Sequence, residues 1–214
     1  MGSGGSGKGY RGGNTGGLSA GDVVSTDSLI SAREGKRSEV DQTLTVLRDV
    51  HDQYGVQIED VQIATLKGAA ARSVMAYYDA GGNLAVNENY FNGTAITAAY
   101  DKSVASGFHP GRGSKTGMEA VVAHEMGHRL ADVAAQKGGG SIFRSSDRTS
   151  SSIITTAAKQ MKTTSSKLMA SISGYAKQSY DEAIAEAFAD VYCNGRKASR
   201  ASRTVVSVLN GRLK

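Results

Sequence analysis

The segment AVVAHEMGHRL, residues 120–130, constrains this chain most, because two of its four histidines flank a glutamate within five positions. In a helix, positions i and i+4 lie on one face about one turn apart, so His124 and His128 can direct their imidazoles at one metal ion. Glu125 is rotated to one side, from where its carboxylate can reach a water molecule on that ion. The spacing therefore predicts a metal site of the kind that zinc hydrolases use.

The residues around this segment predict a helix that carries the motif near its centre. Thr116 and Glu119 have the spacing of a capping box, and a run of glycines occupies positions 138–140. We therefore expect a helix over residues 117–136. Gly127 inside this helix costs about 1 kcal/mol relative to alanine, which indicates that a neighbouring backbone or the metal site needs this position to be small.

A catalytic zinc site needs a third protein ligand, and the chain offers few donors. A histidine six residues after His128 is absent, because position 134 is alanine. His109 lies in the loop before the motif helix and His51 lies on the first helix. Histidines in such places are more often ordinary polar residues than ligands.

The segment SGYAKQSYDEAIAEAFADVY, residues 173–192, predicts a second helix that supplies carboxylates. Ser179 and Glu182 again have capping-box spacing, and the helix is expected to run to about Cys193. Glu182 and Glu186 share one face of it. A glutamate in a first turn is also favoured by the helix dipole without any metal. The alanines of this helix would let it pack closely on the motif helix.

These two segments resemble the catalytic domain of anthrax lethal factor and its relatives. The match consists of HEMGHRLAD and of GYAKQSYDEAIAEAFAD, and covers the two motif helices alone. Relatives in that family include zinc-peptidase domains carried on minor head proteins of bacteriophages. The resemblance implies a Zn²⁺ cofactor with His124, His128 and Glu182 as its ligands, Glu125 as the general base, and Tyr175 as the residue that stabilises the oxyanion.

Two of the residue roles that the resemblance implies have a second candidate residue. Tyr175 has the family's spacing, seven residues before Glu182, but Tyr180 competes for the same role. Glu186 matches the family's second glutamate, which we assign to orienting a ligand histidine from outside the metal's own ligand set. Whether Glu182 or Glu186 binds the metal stays open.

The remaining patterns predict an α+β fold, and the resemblance implies that this fold is zincin-like. Apolar residues from Val40 to Tyr54 recur at helical spacing, which predicts a first helix. Residues 56–66 and 75–91 alternate as strands do, so we expect a small, mostly antiparallel sheet packed against the motif helix and the second glutamate-bearing helix. Residues 83–91 are either the edge strand to which a peptide substrate adds or an interior hairpin.

The domain organisation follows from composition. Residues 1–27 are expected to form a flexible leader, because ten of the first 21 residues are glycine. Part of this leader, GSGGSG, resembles an engineered linker. Residues 28–214 are expected to form a single zincin-like domain. Within it, a Ser/Thr-rich, basic segment at about 138–171 is expected to be a polar helical insert between the motif helices.

Charge and hydropathy restrict the partners and the location that we expect for this protein. The net charge is +5, and residues 196–214 carry six basic and no acidic side chains, a pattern that fits either a solvated helix or an anionic partner. A nucleic-acid-binding motif is absent, so no specific nucleic acid is expected. A secretory signal and an apolar run of about 20 residues are also absent, so no membrane is expected. The resemblance implies a phage setting, and with no export signal we expect a phage virion or a host cytoplasm.

The function expected from these observations is a zinc-dependent metalloendopeptidase that acts on a protein or peptide, with phage head or capsid proteins as candidate partners. One alternative is a virion structural module that keeps a zinc site without turnover. Another alternative is a cytosolic regulatory protease that cleaves a repressor, although such proteases usually have a shorter gap between the two motifs.

Overall fold

The computed structural model describes residues 10–11, 18, 20–29, 35–58, 60–79, 81–138 and 142–214. The chain is α+β and predominantly helical. Its helices are α1 Arg37–Tyr54, α2 Ala70–Ser73, α3 Gly93–Ala105, α4 Gly117–Lys137, α5 Ile142–Gln160, α6 Ser165–Ala170, α7 Tyr180–Asn194 and α8 Arg200–Leu213. Its strands are β1 Tyr10–Arg11, β2 Val23–Ser28, β3 Val61–Leu66, β4 Ala76–Asp79 and β5 Leu84–Asn87.

The sheet has the order β1-β4-β5-β3-β2 and is mixed. Three pairings are antiparallel, as predicted, whereas β3 and β5 are parallel. The parallel pairing arises because α2 and β4 lie between these strands in the chain and bring β5 back in the direction of β3. Since β5 is paired on both sides, the hypothesis that residues 83–91 form an edge strand for substrate is wrong, and the interior hairpin is correct.

The motif helix α4 is the central element of the molecule. It packs against β4 and against α1, α3, α5, α7 and α8. The predicted capping box is present, since the Thr116 hydroxyl accepts from the Glu119 N–H and the Glu119 carboxylate accepts from the Thr116 N–H. The first helix α1 is also confirmed, and Gly55 caps it in the left-handed conformation with a φ of 66°.

The predicted leader overlaps the sheet. Residues 1–9, 12–17 and 19 lie outside the described residues, whereas β1 and β2 fall within the segment 1–27 or at its end. Strand β2 pairs with β3 from Val23 onward. The described sheet therefore begins before residue 28, where composition placed the start of the domain.

The Ser/Thr-rich segment is helical, but it is more than a polar insert. Its helices α5 and α6 follow residues 139–141, which lie outside the described part of the chain. Ile153, Ile154 and Ala157 of α5 are completely buried, and α5 packs against α4, α7 and α8. The serines and threonines of α5 obscure this apolar stripe in the composition, so the expectation of a polar insert is wrong for that face.

The basic C-terminal segment forms α8, which also contributes to the core. Val205, Val206 and Leu209 are buried against the rest of the protein. The Arg203 guanidinium donates to the carbonyl oxygens of Arg196 and Ala198. One of the basic side chains of this segment is therefore hydrogen-bonded within the protein. Among the described residues, every helix is too short or too polar to cross a bilayer.

Candidate metal centre

Helices α4 and α7 bring three metal-ligating side chains together. His124, His128 and Glu182 are only 3%, 1% and 8% exposed. The Glu182 Oε2 atom lies 3.2 Å from His124 Nε2 and 3.4 Å from His128 Nε2. Each residue offers a ligand atom within 4.8 Å of the other two, so the three could hold one metal ion.

Among the residues that the structure describes, these three ligand atoms lack other bonding partners, as atoms that hold a metal ion would. Within the described part of the chain, the Nε2 atoms of His124 and His128 and the Oε2 atom of Glu182 are buried without a hydrogen-bond partner. Buried polar atoms normally have a partner, so such a cluster needs an explanation. Tetrahedral zinc bonds of about 2.0–2.1 Å place neighbouring ligand atoms roughly 3.4 Å apart, which agrees with the two measured separations.

Glu186 lies on the opposite side of His124 from Glu182. Its Oε1 atom accepts a hydrogen bond of 2.8 Å from His124 Nδ1, and its Oε2 atom accepts one of 2.6 Å from the Ser173 hydroxyl. Because an ionised carboxylate can only accept, Nδ1 of His124 carries a proton that it donates to Glu186, and Nε2 on the other side of the ring faces Glu182. The structure thus separates the two glutamates, with Glu182 among the ligand atoms and Glu186 behind the ligand histidine.

The buried glutamates and histidines of the site shift one another's pKa values. Burial raises the pKa of Glu182, but the His128 and His124 side chains outweigh burial and hold that pKa far below its usual value. Burial likewise raises the pKa of Glu186, but His109 and His124 bring it to about 2. Burial lowers the pKa of His124, yet Glu182, Glu186 and Glu125 raise it well above its usual value. Both carboxylates are therefore ionised at neutral pH, as cation binding requires.

Of the two candidate tyrosines, the structure brings Tyr175 to the ligands. Tyr175 begins a short 3-10 turn before α7 and is completely buried. Its hydroxyl donates to the Glu182 Oε1 atom at 3.2 Å, and its ring centroid lies 5.7 Å from that of His124. Tyr180 is 39% exposed and lines a surface cavity with Arg148 and Met169.

Glu125 is completely buried in α4, directly after the first ligand histidine. Burial lowers the pKa of His124, whereas Glu182 and Glu186 raise it. The Glu125 carboxylate is close enough to His124 to raise that pKa further. That this carboxylate reaches a water on the metal ion stays a prediction.

Gly127 lies where α4 and α7 are in close contact. A Cβ atom at this position would lie 2.6 Å from the Ala185 Cα atom and 3.2 Å from both the Ala185 carbonyl oxygen and the Phe188 Cβ atom. The prediction that a neighbouring backbone needs position 127 to be small is confirmed. The alanines of α7 permit this approach, which sets the distance between the helices that carry the ligands.

Gly127→Ala is expected to lower the free energy of unfolding and to weaken zinc binding, because the two helices must separate. Overpacking costs about 1–3 kcal/mol, which exceeds the gain of up to about 1 kcal/mol in helix propensity. Urea denaturation of the zinc-free protein measures the first effect, and competition with a chelator measures the second. Gly211→Ala in α8 is the matched control, since a Cβ there has no atom within 4 Å and is expected to be neutral or stabilising.

His109 is a site residue whose role the sequence does not indicate. Its Nδ1 atom lies 2.9 Å from Glu186 Oε1, although 77 positions separate the two residues. It is not among the three ligands, and His51 is exposed on α1. The only local signal is its place beside the single proline of the chain, in the loop that precedes the motif helix.

Comparison of the chain with protein-family profiles, with curated proteins and with solved structures finds no match. The resemblance to the lethal factor family therefore depends on the two motif segments and on the residues that they place at the site.

Proposed function

We propose that this protein is a zinc-dependent metalloendopeptidase with a zincin-like arrangement of a His-Glu-x-x-His helix and a later glutamate. One observation carries the proposal. Three buried ligand atoms, two from α4 and one from α7, have no hydrogen-bond partner among the described residues and converge at separations that suit zinc. The residue types needed for peptide hydrolysis lie next to them, namely Glu125 on α4 and Tyr175 before α7.

Each side chain has a chemical task in this proposal. Zinc held by His124, His128 and Glu182 would lower the pKa of a bound water to about 7 and polarise the scissile carbonyl. Glu125 accepts a proton from the attacking water and passes it to the nitrogen of the leaving amine. The Tyr175 hydroxyl, which donates to Glu182 Oε1 here, donates to the oxygen that develops negative charge.

The nature of the substrate is a separate part of the proposal. The chemistry of the site suits the peptide bonds of a protein. The resemblance to domains on phage minor head proteins supports a virion-associated enzyme with head or capsid proteins as partners. A regulatory protease that cleaves a repressor would use the same residues. The identity of the cleaved protein therefore distinguishes that function from a virion-associated enzyme.

Cleavage of a proteome-derived peptide library tests the proposal. The zinc-loaded protein is expected to cut a subset of peptides, a strong chelator is expected to stop cleavage, and added zinc is expected to restore it. Mass spectrometry of the products identifies the cut bonds. A zinc-loaded protein that leaves the whole library intact would overturn the enzymatic proposal in favour of a structural module that retains its metal.

A further inference from the structure

His109 is a buried histidine that the proposed mechanism does not use. Its side chain is 5% exposed, and its Nδ1 atom contacts Glu186 Oε1 at 2.9 Å. Within the described residues, its Nε2 atom has no hydrogen-bond partner. Leaving a buried polar atom unpaired is unfavourable, so the position of this imidazole is best explained by the contact that Nδ1 makes.

The direction of that contact is set by Glu186. An ionised carboxylate accepts hydrogen bonds and donates none, so Nδ1–H of His109 donates to Oε1. The same oxygen accepts from His124 Nδ1 at 2.8 Å, and Oε2 accepts from the Ser173 hydroxyl. Three donors therefore hold one carboxylate, and only one of the three belongs to a metal ligand.

Aromatic packing holds the His109 ring in place. The ring stacks on Tyr100 with centroids 5.3 Å apart and an angle of 8° between planes. The Tyr100 hydroxyl donates to the carbonyl oxygen of Pro110, which immediately follows His109. On the other side, the ring meets Tyr175 edge-on, with centroids 5.3 Å apart. The ring therefore has little freedom to turn away from Glu186.

The main chain of the same loop holds the turn that carries Tyr175. The Tyr175 N–H donates to the Phe108 carbonyl oxygen at 2.9 Å, and the Gly174 N–H donates to the Gly107 carbonyl oxygen at 2.8 Å. A Cβ atom at position 174 would lie 3.0 Å from that Gly107 oxygen. The loop 107–110 thus contacts both the carboxylate behind His124 and the turn that carries the phenol.

We propose that His109 is a positioning residue of the metal centre. By donating Nδ1–H to Glu186 Oε1, it fixes the carboxylate that in turn fixes His124, and so keeps the Nε2 atom of His124 directed at the metal. This inference rests on the metal site of the proposed function, and it does not require that the protein cleave peptides.

The variants His109→Leu and His109→Asn test this role as a matched pair. The two side chains have the same number of non-hydrogen atoms and the same branching at Cγ, but only asparagine places an N–H donor near the position of Nδ1. His109→Leu is expected to lower zinc affinity about 10-fold in competition with a chelator, as for other residues that orient a ligand. His109→Asn is expected to bind zinc nearly as tightly as the wild type. The visible absorption of the cobalt-substituted protein is expected to change in the leucine variant alone.

The possible results lead to different conclusions. If both variants bind zinc as the wild type does, or if both lose affinity equally, the donor has no positioning role and the inference is overturned. If the wild type binds zinc but cleaves no peptide, the proposed enzymatic function fails, and the affinities of the two variants still decide the role of His109. A wild type that binds no zinc overturns both.

If neither variant folds, nitrogen NMR of the wild-type imidazoles tests the inference instead. The zinc-loaded protein is expected to show a protonated Nδ1 on both His109 and His124. An unprotonated Nδ1 on His109 would overturn the inference without any variant.

Discussion

Replacing Glu125 with glutamine is expected to lower kcat for peptide cleavage about 10²–10⁴-fold while leaving zinc bound. Glutamine has nearly the same shape and cannot accept a proton at neutral pH, so the general base is lost without a change in the ligands. General base catalysis typically contributes about 10²–10⁴-fold to the rate, and we expect kcat to fall by that amount. Cleavage of the best peptide from the library measures the loss, and elemental analysis measures the retained zinc.

Glu88→Gln is the matched control for this experiment. Glu88 is exposed, accepts a hydrogen bond from the Thr65 hydroxyl and lies outside the candidate site. The same chemical change at this position is expected to leave both cleavage and zinc content as in the wild type. Equal activity of Glu125→Gln and wild type would remove Glu125 from the mechanism.

Replacing Glu182 with glutamine is expected to weaken zinc binding more than about 100-fold, since loss of a ligand should exceed the roughly 10–100-fold effect of losing a residue that only orients one. The variant loses the negative charge of Oε2, which faces both histidines in the structure. Competition with a chelator measures the affinity. Thermal unfolding of the zinc-free variant shows whether the fold is retained.

Glu186→Gln provides the comparison, because it makes the same change one helical turn later. The amide oxygen of glutamine can still accept from His124 and His109, and its nitrogen can donate to the Ser173 hydroxyl. We therefore expect a loss of zinc affinity of only about 10-fold. If Glu186→Gln lost more affinity than Glu182→Gln, Glu186 rather than Glu182 would be the third ligand.

The parts of the fold that follow local rules could be predicted from the sequence. Thr116 and Glu119 mark the start of α4 by a capping pattern that lies within four residues. Helical spacing places His124 and His128 on one face and the small residue Gly127 next to them. These features depend on contacts within one helix or on one close approach between two helices, and composition and spacing carry that information.

The parts that depend on distant pairing could not be predicted. The central position of β5 follows from its parallel pairing with β3, and nothing within residues 83–91 specifies which strands flank them. The hydrogen bond of His109 to Glu186 joins two residues 77 positions apart. The buried stripe of α5 depends on α4, α7 and α8 around it. In each case the determining partner is far away in the chain.

The zinc content of the purified chain tests the metal centre most directly. After zinc supplementation and removal of unbound metal, elemental analysis is expected to give about one zinc per wild-type chain, and far less for Glu182→Gln. A wild-type protein that contains no zinc, both as isolated and after supplementation, would contradict the metal centre formed by His124, His128 and Glu182 and the peptidase function proposed from it.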